Sequence, residues 1–154
     1  MSDDIEKLGL LIHDSARLMR RRFDARASAH GLSSAQWRLL VRVAKEPGIA
    51  QARIAELLEI EPISVSRLVD RMEDSGWIER RPDPADRRVR QLFPTDKSMA
   101  TFGAIKSVAG EVFVEALTGL DREARLALVH GLKVLVGNLS DGEPAAAATT
   151  DKAA

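Results

Sequence analysis

Apolar residues recur every three to four positions along most of the chain, and this spacing predicts a mainly helical protein. The first apolar series predicts one long amphipathic helix that ends near Gly31; its members are Ile5, Leu8, Ile12, Met19, Phe23 and Ala27. Ser33 or Ser34 is suited to cap a second helix, which ends before Pro47-Gly48. The first third of the chain is therefore predicted to be two helices joined by a short turn.

Further along the chain the predicted elements become shorter, and the spacing of apolar residues changes from helical to strand-like. Residues 53–58 predict a short third helix, and Pro62 suits the first turn of a fourth helix that runs to about Gly76. Residues 77–81 and 89–93 predict two short strands, which are joined by the turn sequence Pro82-Asp83-Pro84-Ala85-Asp86. Two helices followed at once by a hairpin are typical of a winged helix-turn-helix.

Helical spacing returns from Thr95 onward, and Asp121 is placed to cap a last helix. The predicted fold class is mainly α with a small β-wing. We expect a single domain over residues 1–139, with a helix-turn-helix and wing lobe at about 33–97. Residues 140–154 have no apolar anchors, so we expect a disordered tail there.

The fourth helix has two distinct faces at about 100° per residue. Its apolar positions Val65, Leu68, Val69 and Met72 share one arc, which predicts a buried stripe. Ser64, Arg67 and Arg71 share a second arc, as expected for a helix that reads the major groove of DNA. The alternative is that these arginines pair within the helix, since Arg67–Asp70 and Arg71–Asp74 are spaced i,i+3.

The predicted hairpin carries Arg80, Arg81 and Arg90 on its strands and Asp86-Arg87-Arg88 near its tip. An arginine at the end of such a projection can enter a minor groove, and Asp86 can hold one of the two tip arginines in position. The alternative is an edge hairpin whose charges prevent aggregation. The order of helix and hairpin favours the DNA-binding interpretation over a winged-helix module that docks another protein.

Composition first argues against nucleic acid, because 23 basic and 23 acidic residues give no net charge over the 154 residues. The distribution removes that objection. Residues 11–45 hold eight basic and two acidic side chains, a net of +6, whereas residues 107–154 hold four basic and seven acidic ones, a net of −3. The chain has no cysteine and no apolar run of membrane-spanning length, so we expect a soluble cytoplasmic protein without disulfides.

Enzymatic readings find no support in the sequence. His13, His30 and His130 are scattered without metal-ligand spacing, and no phosphate-binding loop or nucleophile elbow is present. We therefore expect no catalytic residue, no metal site and no cofactor.

Three segments carry a family resemblance: residues 50–58 (AQARIAELL), 60–80 (IEPISVSRLVDRMEDSGWIER) and 82–88 (PDPADRR). The chain resembles the MarR family, most closely its SlyA-type members. The resemblance implies a homodimeric winged helix-turn-helix transcription factor, usually a repressor, that a small ligand releases from a pseudo-palindromic operator. It implies DNA contacts from Ser64, Val65 and Arg67 of the fourth helix and from Arg87 and Arg88 of the wing, with Asp86 as the acid that supports the wing arginines. Arg71, which shares the helical arc of Arg67, is a further candidate contact.

The resemblance also implies roles outside this lobe. Residues 4–30 and 98–139 are expected to be dimerisation helices. A small aromatic acid, or alternatively an acyl-CoA, is the expected effector, with Arg17 for a carboxylate and Trp37 for a ring; Trp37 can equally be a core residue. Two positions depart from the family pattern: Ala50 replaces a capping residue, and Pro94 must end its strand or lie on an edge.

Overall fold

The computed structural model describes residues 3–140, and its first helices end where local signals place them. Helix α1 (Asp3–Glu6) is separated by Lys7 from the long α2 (Leu8–Ala27), and a 3-10 turn (Ser28–His30) follows. Gly31 ends that turn with a φ of 77°, a conformation that glycine adopts without steric cost. The prediction that the first helical segment ends near Gly31 is confirmed. Of the predicted tail, residues 141–154 lie outside the described residues.

Helix α3 (Ser34–Lys45) begins with a capping box. The Ser33 hydroxyl accepts a hydrogen bond from the Gln36 backbone N–H at 3.2 Å, and the Gln36 side chain accepts one from the Ser33 N–H at 2.8 Å. Ser33 is thus the capping residue of the two serines considered, and the helix ends before Pro47-Gly48 as predicted.

Helices α4 (Gln51–Leu58) and α5 (Pro62–Asp74) form the helix-turn-helix pair. Ala50 precedes α4 and makes no side-chain capping bond, as its methyl group dictates. Glu59 ends α4 with a φ of 51°, and Pro62 occupies the first turn of α5, where its missing N–H breaks no helical bond. Helix α4 begins two residues earlier than the sequence predicted.

Three antiparallel strands form a small sheet in the order β1 (Ile49–Ala50), β3 (Arg90–Pro94), β2 (Ile78–Pro82). Strands β2 and β3 begin one residue later than predicted, and β1 was not predicted. Pro94 lies at the end of β3, opposite Ile78 and beyond the residues that pair with β1. Because the ladder ends there, its missing N–H removes no bond to β1.

One hydrophobic core joins α3, α4, α5 and the sheet to α2 and the long helix α6 (Asp96–Ala116). In the helix-turn-helix, α5 inserts its apolar stripe as predicted: Val65, Leu68, Val69 and Met72 are buried. Helices α2 and α6 bury a second set against each other: Phe23, Ala27, Ile105, Val108 and Val112. The lobe that carries the hairpin is therefore held on a helical base.

The chain divides into two compact units after Ala116, and the second is built around α7 (Arg122–Leu139). Asp121 caps this helix, as predicted, by accepting a hydrogen bond from the Ala124 N–H at 2.9 Å. None of the α7 residues is buried, and seven of them are exposed large apolar side chains: Leu126, Leu128, Val129, Leu132, Val134, Val136 and Leu139.

Candidate nucleic-acid interface

Helix α5 presents a polar outer face whose arginines have no partner among the described residues. Ser64, Arg67 and Arg71 are exposed, and within residues 3–140 neither arginine makes an ion pair or a side-chain hydrogen bond. The alternative pairing of Arg67 with Asp70 is not formed, because Asp70 pairs with Arg80 instead. The outer face of α5 is thus free to meet an external partner.

Val65 does not belong to that face. Its side chain is fully buried among the core residues of the lobe. The structure places the Val65 side chain in the core, where it holds α5 against the lobe, and not on the face that carries Ser64 and Arg67, so we leave Val65 out of the proposed contacts.

The wing is the hairpin of β2, β3 and the loop between them, and Asp83 fixes its shape. One carboxylate oxygen of Asp83 accepts hydrogen bonds from the N–H groups of Ala85 (2.7 Å) and Asp86 (3.2 Å). The other accepts one from the Gln91 side-chain amide at 3.1 Å. The turn was predicted from the sequence but this role of Asp83 was not, although an Asp in a turn commonly accepts a hydrogen bond from the backbone N–H two residues on.

The tip of the wing holds one arginine in place and leaves another unpaired. Asp86 accepts hydrogen bonds from Arg88 at its backbone N–H (3.0 Å), Nε (3.2 Å) and Nη2 (3.3 Å). These bonds, the side-chain one first, hold the pKa of Asp86 below its ordinary value. The Arg88 side chain nevertheless remains 92% exposed. Arg87 is exposed and forms no ion pair with any described residue, so two guanidinium groups point to solvent from a fixed loop.

The two strand arginines of β2 are committed to internal contacts. Arg80 forms an ion pair with Asp70 of α5, and its backbone N–H donates to the Glu73 carboxylate at 2.9 Å. Arg81 donates two hydrogen bonds to Glu79, at 2.9 and 3.0 Å, and lies over the Phe93 ring. Arg80 thus ties the wing to α5, a role that the sequence analysis did not identify.

A cavity of about 300 Å³ lies between α2, α3 and α6. Trp37 forms its aromatic wall, stacked against Phe23 with ring centroids 6.2 Å apart and tilted against Phe102 at 4.8 Å. Trp37 is therefore both a packing residue and a lining residue. The cavity is otherwise lined by Ala16, Met19, Arg20, Phe23, Ser34, Arg38, Ala109, Val112 and Phe113.

Two arginines, Arg20 and Arg38, give this cavity a positive rim. Desolvation, followed by repulsion from Arg20, lowers the pKa of Arg38, while Asp24 acts in the opposite direction. Arg17, the residue predicted to bind a carboxylate, does not line the cavity; it pairs with Asp14 at 3.0 Å one turn away on α2. The structure thus places different arginines beside Trp37 from the one predicted.

Over residues 3–140, no group of three or more histidine and carboxylate side chains is placed to hold a metal ion. None of the helices described here is long and apolar enough to cross a membrane.

The known proteins to which this chain is similar are transcriptional regulators. A family model described as the MarR family matches residues 30–89. The transcriptional regulator HosA of Escherichia coli O111:H- is 30% identical over 102 residues, which cover 64% of this chain and 76% of that protein. A MarR transcriptional regulator from Methanosarcina mazei Go1 is similar with a TM-score of 0.81 at 25% identity, covering 86% of this chain and 96% of that chain. A mutant of E. coli MarR complexed with operator DNA has the same fold, with a TM-score of 0.75 at 24% identity and coverage of 87% and 96%.

Proposed function

The chain belongs to the MarR family of transcriptional regulators, and on this premise we propose that it binds a pseudo-palindromic operator as a cytoplasmic homodimer. We further propose that it represses transcription from that operator and that a small aromatic acid releases it. The observation that carries the DNA-binding part is the unpartnered outer face of α5 beside a wing that has exposed arginines at its tip.

Each of these two surfaces matches one groove of duplex DNA. A helix that buries Val65 and Val69 can lie in a major groove with Arg67 and Ser64 toward the bases. Arg67 can donate two hydrogen bonds to guanine, and Arg71, one turn further along, can reach a phosphate. The wing then extends toward the neighbouring minor groove, where a narrow A·T tract attracts an exposed arginine such as Arg88.

Dimerisation is supported by apolar surface that a lone chain leaves in water. The seven exposed apolar residues of α7 are one part of this surface. In the other unit, α1 and the first eleven residues of α2 also expose large apolar side chains: Ile5, Leu8, Leu10, Leu11, Ile12 and Leu18. Large exposed apolar surface on a protein often marks a site of association with another chain. Two copies of the chain would also supply the two helix-turn-helix units that a pseudo-palindromic site requires.

The proposed effector site is the cavity beside Trp37. An indole wall suits an aromatic ring, and Arg20 and Arg38 suit a carboxylate. We assign the carboxylate to these two arginines rather than to Arg17, because Arg17 is paired with Asp14 and lies outside the lining. A ligand here would contact α2 and α6, which form the helical base, and α3, which packs against the sheet. It could therefore bias the position of the lobe.

The DNA-binding proposal is tested by titrating the protein into its own upstream DNA and into random duplex at several salt concentrations. We expect tighter binding to one upstream segment, with log K falling by about 0.9 for each phosphate neutralised. Arg67→Ala should lower the preference for that segment at least about tenfold, as expected for the loss of a base contact. Arg122→Ala removes an equal charge from α7 and is the matched control.

Two results would contradict the proposal. Wild-type protein that binds the upstream DNA no better than random duplex is not an operator-binding regulator, and a winged-helix module that docks another protein then becomes the better interpretation. An Arg67→Ala variant with undiminished preference removes Arg67 from base recognition.

The effector proposal is tested by thermal unfolding with benzoate and hydroxybenzoates, and separately with their CoA thioesters. At a hundredfold excess over Kd, a ligand stabilises by about 2.7 kcal/mol, which corresponds to about 5–10 °C for a chain of this size. Arg38→Gln should abolish the shift, whereas Arg17→Gln should preserve it. A shift that is lost in Arg17→Gln and kept in Arg38→Gln would refute our assignment, and a response to thioesters alone would indicate a larger anion.

A further inference from the structure

Ile63 is exposed in a lobe whose other large apolar side chains are buried or half-buried. Between Leu18 and Met99, a span that the structure describes throughout, it is the only large hydrophobic residue that is exposed, at 62%. It gains nothing from the core, and a β-branched residue is a poorer helix former than alanine. Its presence therefore has no explanation within the fold of the lobe.

The position of Ile63 on α5 supplies an explanation. It is the second residue of the helix, and the N-terminal residues of a helix in the major groove are the ones that meet base edges. At about 100° per residue, Ile63 lies roughly 170° from the centre of the buried stripe and about 40° from Arg67. Ile63 and Arg67 are thus i,i+4 neighbours on the outermost line of α5.

The chemistry of an operator offers one apolar group at that place. In the major groove, thymine alone of the four bases presents a methyl group, and aliphatic side chains recognise it by apolar contact. Guanine, by contrast, is read by arginine through its N7 and O6 atoms. An isoleucine next to an unpartnered arginine is therefore suited to a step in which a thymine adjoins a guanine.

We propose that Ile63 is a specificity-determining residue that contacts a thymine 5-methyl group in each half-site of the operator. This inference rests on the proposed function, since it assigns one more base contact to the same DNA-binding surface. It adds a preference that hydrogen bonding by Ser64 and Arg67 cannot supply, because the methyl group has no hydrogen-bonding atom.

The test removes that methyl group and nothing else. Deoxyuridine pairs with adenine as thymidine does and lacks only the 5-methyl group, so each thymine of the bound upstream segment is replaced in turn by deoxyuridine. For wild-type protein, we expect one symmetric pair of positions at which affinity falls about fourfold per half-site. This is the ratio that corresponds to the burial of one methyl group. Replacement in both half-sites should lower affinity about 16-fold.

The same scan is repeated with Ile63→Ala. Alanine favours an exposed helix more than isoleucine, so this variant is expected to fold as wild type does. Its affinity should be the same for thymine and deoxyuridine at the sensitive pair, while its preference over random duplex persists through Arg67. Met99→Ala removes another exposed apolar side chain, in the first turn of α6, and should keep the wild-type penalty.

The outcomes separate this inference from its premise. If wild-type protein shows no preference for the upstream segment over random duplex, the proposed function fails and the role of Ile63 fails with it. If the preference is present but Ile63→Ala keeps the full deoxyuridine penalty, only the assignment of Ile63 is overturned. The same conclusion follows if wild-type protein is indifferent to deoxyuridine at every position.

Discussion

Arg80 connects two parts of the DNA-binding lobe, and replacing it should loosen the wing from α5. Its guanidinium pairs with Asp70, and its Nε lies 4.0 Å from a Glu73 oxygen. The Arg80 backbone N–H also donates to Glu73, and this bond survives any side-chain substitution. Arg80→Met keeps most of the aliphatic stem and removes the charge, so it isolates the ionic contact from side-chain packing.

The solvent exposure of the Arg80 and Asp70 side chains sets the size of the coupling free energy between them. Exposed ion pairs contribute about 0.2–1 kcal/mol, whereas hydrogen bonds to charged groups that are shielded from water contribute about 1.5–3 kcal/mol. The Arg80 side chain is only 19% exposed, but that of Asp70 is 58% exposed. The contribution of the Arg80–Asp70 contact to stability should therefore lie between these two ranges. We expect a coupling free energy of about 1 kcal/mol between the two side chains.

The net effect of the single substitution should be similar or smaller. The Arg80 Nε is buried without a hydrogen-bond partner among the described residues, a cost to folding that methionine removes. Asp70 remains largely solvated after the substitution, so no buried unpaired charge is left behind.

The assay is a double-mutant cycle of Arg80→Met and Asp70→Asn, followed by urea unfolding at one fixed protein concentration. Arg81 and Glu79 provide the matched control cycle. They form an ion pair two residues apart on the same strand, and both side chains are about half exposed. We expect a coupling of about 0.3 kcal/mol for that control. The reasoning is refuted if the Arg80–Asp70 coupling does not exceed the control, because burial of one partner would then add nothing.

Two further outcomes are expected. Ala50→Ser should stabilise the protein by about 1 kcal/mol in urea unfolding. Ala50 already has the extended backbone of a capping residue (φ −67°, ψ 138°) and lacks only the hydroxyl group. An unchanged unfolding midpoint would contradict this expectation. Arg88→Ala should raise the pKa of Asp86 toward its ordinary value in a carboxyl NMR titration, because it removes the side-chain hydrogen bonds and leaves the one from the backbone N–H of residue 88. Because the pKa of Asp86 is lower in the folded than in the unfolded protein, its contact with Arg88 stabilises the fold above the unfolded-state pKa and is lost as pH falls through the folded-state pKa. Asp86 therefore stays ionised between pH 6 and 8, and its titration should not change DNA affinity in that range.

Elements whose ends carry local signals could be predicted from the sequence. Ser33 and Pro47-Gly48 bracket α3, and Asp121 caps α7, because capping and helix breaking depend on a few neighbouring residues. Strand β1 was missed because two residues show no alternation. Its existence depends on pairing with Leu92, more than forty positions away. The predicted bounds of β2 and β3 were one residue off, because strand ends also depend on which residues pair across the sheet.

The candidate site shows where local reasoning and resemblance diverge. Helical periodicity placed Val65 in the buried stripe, and it should have outweighed the resemblance that counted Val65 among the DNA contacts. Asp14 and Arg17 are spaced i,i+3, a signal that could have indicated their ion pair, but this pair was not predicted. The ion pair between Asp70 and Arg80 could not be predicted from the sequence, because it depends on how β2 is placed beside α5.

The contacts also change what the charge pattern means for DNA recognition. Five arginines form ion pairs with the carboxylates of Asp14, Glu115, Asp70 and Glu79 in the same chain; the arginines so engaged are Arg17, Arg22, Arg26, Arg80 and Arg81. The exposed arginines of α5 and the wing tip that make no such pair are few: Arg67, Arg71 and Arg87. Non-specific affinity scales with the number of phosphates neutralised, so a protein of zero net charge that frees only a few arginines should bind random DNA weakly. Under the proposed function, discrimination then depends on direct base contacts, and the proposed thymine contact would account for the exposure of Ile63 beside Arg67 in the unbound protein.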